Sequence, residues 1–226
     1  MKLKHCIAIQ AASLLLPWKL RRMILNKLLG FEIHKSARIK LSIINTKKLV
    51  MKEGCIIGSL TFIKGLELVS MERHSVIGNL NWITGFPLGS SLPFFKSQEN
   101  RVPSLHLGEH SAITNRHLLD CTDKVSIGKF TTFAGFGSQI LTHSINIYTS
   151  RQESAPVTIG DYCFIGTRSI FLPGSSIPAN SVLGAGSIVN KSLLQEWSLY
   201  GGTPAKLVKA IPKEAMYFNR NEGRVY

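Results

Sequence analysis

Ile159, Ile165, Phe171, Ile177, Leu183 and Val189 recur at a strict interval of six residues. Two positions before the last five sit Cys163, Ser169, Ser175, Ser181 and Ser187, all small. Gly160, Gly166 and Gly184 directly follow three of them. An interval of six fits neither the 3.6 period of a helix nor the alternation of a simple hairpin. It fits a solenoid in which each hexad gives one short flat strand and one tight turn. The large aliphatic then fills the inside, and the small residue sits where the wall bends. The Gly or Asn after the aliphatic tolerates the turn.

The same phase holds upstream. Ile33, Ile39, Met51, Ile57, Ile63 and Val69 share it, with Asn45 the one break. Ile77 and Ile83 restart it after a slip of two. Leu107, Ile113 and Leu119 hold it again, then Ile127 and Phe133 after a second slip. The expectation is one all-β solenoid over 31–200, a helical segment at 1–30 and a tail at 201–226. Two stretches leave the period, 85–104 and 144–156.

At 226 residues one domain with a well-buried core is enough. The net charge of +14 suggests an anionic partner: nucleic acid, a phosphate-bearing cofactor or an acidic membrane. No basic helix with base-reading residues, zinc-finger spacing or RNA-binding aromatic signature is present, so no nucleic-acid partner is expected. Cys6, Cys55, Cys121 and Cys163 form no CxxC pair, and Cys55 and Cys163 occupy small-residue positions of hexads. This reads as a reducing, cytoplasmic setting without disulfides.

In the first thirty residues, Lys2 and Lys4 precede an apolar stretch at 6–16, shorter than the ~20 residues a bilayer span needs. No small-x-small cleavage pattern follows it. Leu20, Met23, Ile24, Lys27 and Leu28 then have helical spacing, stopped by Gly30. Such a helix either covers the open end of the solenoid or lies on the inner, anionic face of a membrane.

A solenoid wall is uniform, so chemistry is expected where uniformity breaks. His143 stands where the strand at 138–141 gives way to the 144–156 loop. An imidazole there suits a general base. Aligning Leu119 with Ile140 stacks His117 and Asp120 on the adjacent coil, about 4.8 Å away. Either is a candidate to orient the ring. Phe94 and Phe95 in the first loop, with Tyr148 and Arg151 in the second, are candidates to hold a substrate. No metal is expected: a zinc site on such a helix calls for three convergent histidines, commonly with an H-x4-H pair. His106, His110 and His117 lack that spacing.

The run VTIGDYCFIGTRSIFLPGSSIPANSVLGAGSIVNKS, followed by YGGTPAKLVKAI, resembles the hexapeptide-repeat acyltransferases. Upstream, IGKFTTFAGFGSQILTHS is similar to the segment before the catalytic histidine in sugar O-acetyltransferases of cell-envelope polysaccharide synthesis. The likeness spans roughly 31–211. It implies a left-handed parallel β-helix, here with an N-terminal helix and a short C-terminal helical tail. It also implies a homotrimer, with acetyl-CoA as co-substrate between neighbouring subunits and His143 as general base. Gly184, Ala185 and Gly186 match the positions beside the pantetheine arm. Gly166 and Thr167 match a coil where a backbone N–H faces the thioester oxygen. Thr203 and Pro204 match the turn beside the adenine, and Lys191, Lys206 and Lys209 are candidates for the CoA phosphates. Ser176, Pro178 and Asn180 depart from the family's turn, and the 85–104 insertion has no counterpart in the common pattern. The activity so implied is acetyl transfer to a hydroxyl of a small or lipid-linked sugar. Alternatives are an N-acetyltransferase on an amino sugar or amino acid, a zinc carbonic anhydrase on the same helix, and a catalytically silent scaffold.

Overall fold

The structure is a computed structural model that describes residues 3–90, 94–95, 97–98 and 100–225. Among these residues, short parallel strands stack into three walls of a left-handed β-helix. The first wall runs from Glu32–Ile33 to Ser176–Ile177, with seven strands. The second runs from Arg38–Ile39 through Ser198–Gly201 and adds Lys206–Ala210 as a ninth, antiparallel strand. The third runs from Ile43–Asn45 to Ile188–Val189, again seven.

The hexad residues do what the period requires. Ile159, Ile165, Phe171, Ile177, Leu183 and Val189 are all buried inside. The preceding Ser169 and Ser187 are buried at the corners, where their hydroxyls donate to the carbonyls of Gly166 (2.8 Å) and Gly184 (2.6 Å). A larger corner residue would lose that bond and crowd the bend. The two slips have a simple origin. Strands of the first wall at Leu68–Met71 and Lys124–Ile127 are four residues long and point two side chains inward, Val69 with Met71 and Val125 with Ile127. A coil there takes 20 residues, as the pairing of Ile57 with Ile77 shows, against 18 between Ile165 and Leu183. At the Asn45 break, the neighbouring Ile44 fills the interior instead.

Helix α1 (Leu3–Ser13) and helix α2 (Trp18–Leu29) close the first end. Cys6, Leu25 and Leu29 pack on the core. Polar side chains of the helices satisfy the first strand of every wall. Gln10 gives and receives a bond with the backbone of Ile44 (2.9 and 3.0 Å). Arg21 donates to Ile39 O (3.0 Å), Arg22 donates to Ile33 O (3.0 Å), and Asn26 accepts from Ile33 N (3.2 Å). Buried backbone groups need partners, and these side chains stand in for a missing coil.

The tail differs from a purely helical expectation. It turns back as the Lys206–Ala210 strand, and its helical part is a single 3-10 turn, Met216–Asn219. From there it runs along one corner. Tyr217 donates to Cys163 O (2.9 Å), and Arg220 lies over the Tyr217 ring at 3.9 Å. The 144–156 stretch is also more regular than a loop: His143–Asn146 pairs antiparallel with Arg151–Ser154 as a projecting hairpin.

Candidate active site

His143 begins that hairpin, directly after the third-wall strand Gln139–Ile140. Leu119 pairs with Ile140, so Asp120 emerges on the adjacent coil beside Thr142 and His143. The carboxylate of Asp120 is buried and collects five bonds. Oδ2 accepts from Thr142 N (2.8 Å), Thr142 Oγ1 (3.0 Å), His143 N (3.1 Å) and His143 Nδ1 (2.7 Å). Oδ1 accepts from Thr122 N (3.0 Å). Burial alone would raise this carboxyl. The bonds from His143, Thr122 and Thr142 outweigh it, and Asp120 titrates below the ordinary carboxylate range. The bond to Asp120 in turn lifts the His143 imidazole above its ordinary value, against burial and the nearby Arg101 charge. With Nδ1–H committed to Asp120, neutral His143 carries its lone pair on Nε2.

The ring faces a cleft of about 320 Å³ lined by Thr84, Gly85, Phe86, Phe94, Phe95 and Gln152, with Asp120 and Thr122 at its floor. The Phe95 ring stands edge-on to the imidazole at 5.8 Å. The 85–104 insertion therefore packs beside the histidine of its own chain; residues 91–93, 96 and 99 of it lie outside the described residues. Arg101 anchors it: buried, it donates to Phe86 O and to Thr122 O (2.8 Å), and lies 4.6 Å from the Phe95 centroid. Gln98 Oε1 ties the insertion to the hairpin by accepting from Ser154 N. A second cleft of about 660 Å³, lined in part by Phe94, Phe95, Arg151 and Gln152, lies between insertion and hairpin. Tyr148 lines neither: it is at the hairpin tip and 94% exposed. Arg101 and Gln98 carried no sequence signal, because the insertion has no period to read.

His117 does not reach His143. Its Nδ1 accepts from Ser138 N (3.2 Å) and its Nε2 meets Thr114 Oγ1 (3.0 Å), inside the wall. Burial pushes its pKa down to about 4, and the bond that Nδ1 accepts needs an unprotonated nitrogen, so it is a neutral structural residue. Asp120 alone of the two candidates orients the ring. His106 and His110 are also apart: His106 Nε2 meets Ser104 Oγ (3.2 Å), and His110 stacks between His74 and Phe130. Among the described residues no group of three or more His, Cys, Asp or Glu is placed to hold a metal ion.

The small residues expected at the cofactor share a different corner, between the second and third walls. Phe136 N donates to Thr167 Oγ1 (3.1 Å), and Gly186 N donates to Thr167 O (2.9 Å). Thr203 and Pro204 follow on the next turn, near Gly186. The result is a strip of small residues from Gly166–Thr167 through Gly184, Ala185 and Gly186 to Thr203–Pro204. A side chain on Gly166 would put its Cβ 2.5 Å from Ala185 N, so stacking alone requires glycine there. A Cβ on Gly184 would only touch Tyr200 O at 3.4 Å, and one on Gly186 would meet open space. Two expectations need correction. Gly166 N–H donates to Leu183 O (2.8 Å), so of the Gly166–Thr167 coil only Thr167 N–H is left as the expected donor. The three lysines do not form one cluster. Register places Lys191 on the corner of Thr142, two coils along, across the third wall from the strip. Lys206 and Lys209 lie exposed on the outer antiparallel strand.

The family model described as the hexapeptide repeat of succinyl-transferase matches residues 156–191. "Putative acetyltransferase SAR2635" of Staphylococcus aureus (strain MRSA252) is 33% identical over 147 residues, 63% of this chain and 72% of that protein. "Putative acetyltransferase YvoF" of Bacillus subtilis (strain 168) is 33% identical over 86 residues, 38% of this chain and 48% of that protein. The polysialic acid O-acetyltransferase OatWY has a similar fold, with TM-score 0.59 and 18% identity over 83% of this chain and 90% of that one. The hexapeptide-repeat acetyltransferase VCA0836 of Vibrio cholerae O1 biovar eltor, solved with acetyl coenzyme A, gives TM-score 0.53 and 18% identity over 93% and 87%.

Proposed function

This chain belongs to the hexapeptide-repeat acetyltransferases, and on that premise we propose that it moves an acetyl group from acetyl-CoA to a sugar hydroxyl, with His143 as general base. The observation that carries the reading is the Asp120–His143 pair, 2.7 Å apart, whose free Nε2 opens on a cleft. The acceptor oxygen attacks the thioester carbonyl as Nε2 takes its proton. The C–S bond then breaks, and the imidazolium returns the proton to the leaving thiolate. Asp120 holds the tautomer and stabilises the imidazolium while it exists. The flat faces of Phe94 and Phe95 and the polar arms of Arg151 and Gln152 suit a sugar ring.

His143 and the small-residue strip flank opposite edges of the third wall. Six residue steps take the chain from Gly137 on one corner to His143 on the other, roughly 20 Å at strand rise. One chain alone does not bring base and pantetheine together, which supports a homotrimer with the cofactor between neighbours. The test is His143→Ala with labelled acetyl-CoA and a panel of soluble and lipid-linked sugars. Turnover is expected to fall by about a hundredfold to ten-thousandfold with the fold intact. A folded variant with near-wild-type turnover removes His143 from the chemistry.

A further inference from the structure

Helices α1 and α2 bury one side of each against the solenoid; their other side is unpartnered and chemically biased. On α2 the buried residues Arg21, Leu25 and Leu29 share one stripe. The opposite stripe carries Lys19, Leu20, Met23 and Lys27, all exposed and within about 100° of one another at helical spacing. The turn between the helices is Leu14-Leu15-Leu16, and Leu15 is 96% exposed. Residues 1–31 contain six lysines and arginines and no acid. Three lysines at and beside the Lys48–Met51 strand are paired, Lys47 with Glu67, Lys48 with Glu32 and Lys52 with Glu72. Lys4, Lys19 and Lys27 have no ion pair among the described residues. Capping the helix end explains the buried stripe and leaves the outer one unexplained.

We propose that the outer face of the N-terminal helix pair is a docking surface for an anionic lipid bilayer. Leu15, Leu20 and Met23 enter the boundary between headgroups and acyl chains, while Lys19 and Lys27 meet the phosphates. Charge decides between this occupant and a second copy of the chain. A two-fold contact through this face would set lysines against lysines with no acid to receive them. No helix of the described residues is long and apolar enough to cross a membrane, so the contact is one of lying on the surface. The inference stands apart from acetyl transfer, and neither test depends on the other.

Full-length protein is sedimented with phosphatidylcholine vesicles with and without phosphatidylglycerol. It is expected to pellet with the anionic vesicles only, and to be released as salt rises. Leu15→Glu combined with Met23→Glu should weaken the partition by about tenfold or more. Lys19→Glu with Lys27→Glu should do the same, and both pairs should melt within a few degrees of the parent because these side chains are solvent-facing. Equal binding to neutral vesicles, or no loss in either double variant, overturns the proposal. So does a double variant that changes the oligomeric state in sedimentation velocity while leaving vesicle binding intact, since the face would then be a contact between copies.

Discussion

Asp120→Asn tests the site at its most connected atom. The carboxylate accepts four bonds on Oδ2 and one on Oδ1. An amide accepts on one side only. Turned one way, its NH₂ meets Thr122 N–H; turned the other, it meets the donors of Thr142 and His143. At least one buried donor loses its partner, which costs about 1–3 kcal/mol. The remaining bonds also lose charge assistance, so a total of about 2–4 kcal/mol is expected. In a chain of this size that lowers the melting temperature by roughly 5–15 °C. The kinetic effect has a signature of its own. His143 must be neutral to act as base, so the rate rises with pH through its titration. The bond to Asp120 holds that titration above the ordinary imidazole value; its loss moves the rising limb toward acid. Turnover at the plateau should fall by about a hundredfold or more, because the ring is no longer fixed in the Nδ1–H tautomer. The measurements are scanning calorimetry and turnover across pH. A variant with parental stability and an unmoved limb refutes the reasoning.

Three further outcomes are expected. Ala185→Trp should abolish acetyl-CoA binding by calorimetry with melting within a few degrees, since Ala185 is exposed on the strip; undiminished affinity places the cofactor elsewhere. His117 is held neutral, with its pKa lowered from 6.5 to about 4. The folded state thus binds fewer protons than the unfolded one, and this contribution, about 3 kcal/mol, is present above pH 6.5 and lost as pH falls toward 4. His117→Gln should flatten the fall in melting temperature over that window, and an unchanged slope assigns the acid sensitivity to another group. Arg151→Ala should raise the acceptor KM well above that for acetyl-CoA; equal rises in both would remove Arg151 from acceptor recognition.

The sequence was legible where packing is periodic and illegible where contacts are not. A hexad states its own register: Leu119 against Ile140 follows from the phase, and with it the placement of Asp120 beside His143. The same alignment offered His117 equally, because phase tells which coil a residue is on and not which way its ring turns. Lys191, Lys206 and Lys209 are near in sequence, yet register puts a wall's width between the first and the strip. Arg101 and Gln98 were invisible, since their partners at 122 and 154 lie across an aperiodic insertion. The slips of two read as breaks, although they are extra inward residues on one wall. Whether the helix pair covers the solenoid was left open by its spacing; Gln10, Arg21 and Asn26 show the covering side in atomic terms.

Those three residues also bear on how the molecule stays a discrete object. A parallel β-helix ends in rows of unpaired N–H and C=O groups, and the opposite end of another copy could dock there, coil on coil, into an open-ended fibre. Gln10, Arg21, Arg22 and Asn26 occupy backbone groups of the first strand on each wall, one small bond set per wall. The far end is blunted differently, by Lys206–Ala210 folding back antiparallel across the last coil of the second wall. A filament growing head to tail would need both ends bare. Here one end is plugged by side chains on helices and the other by a reversed strand, so the stack has a beginning and an end that cannot join.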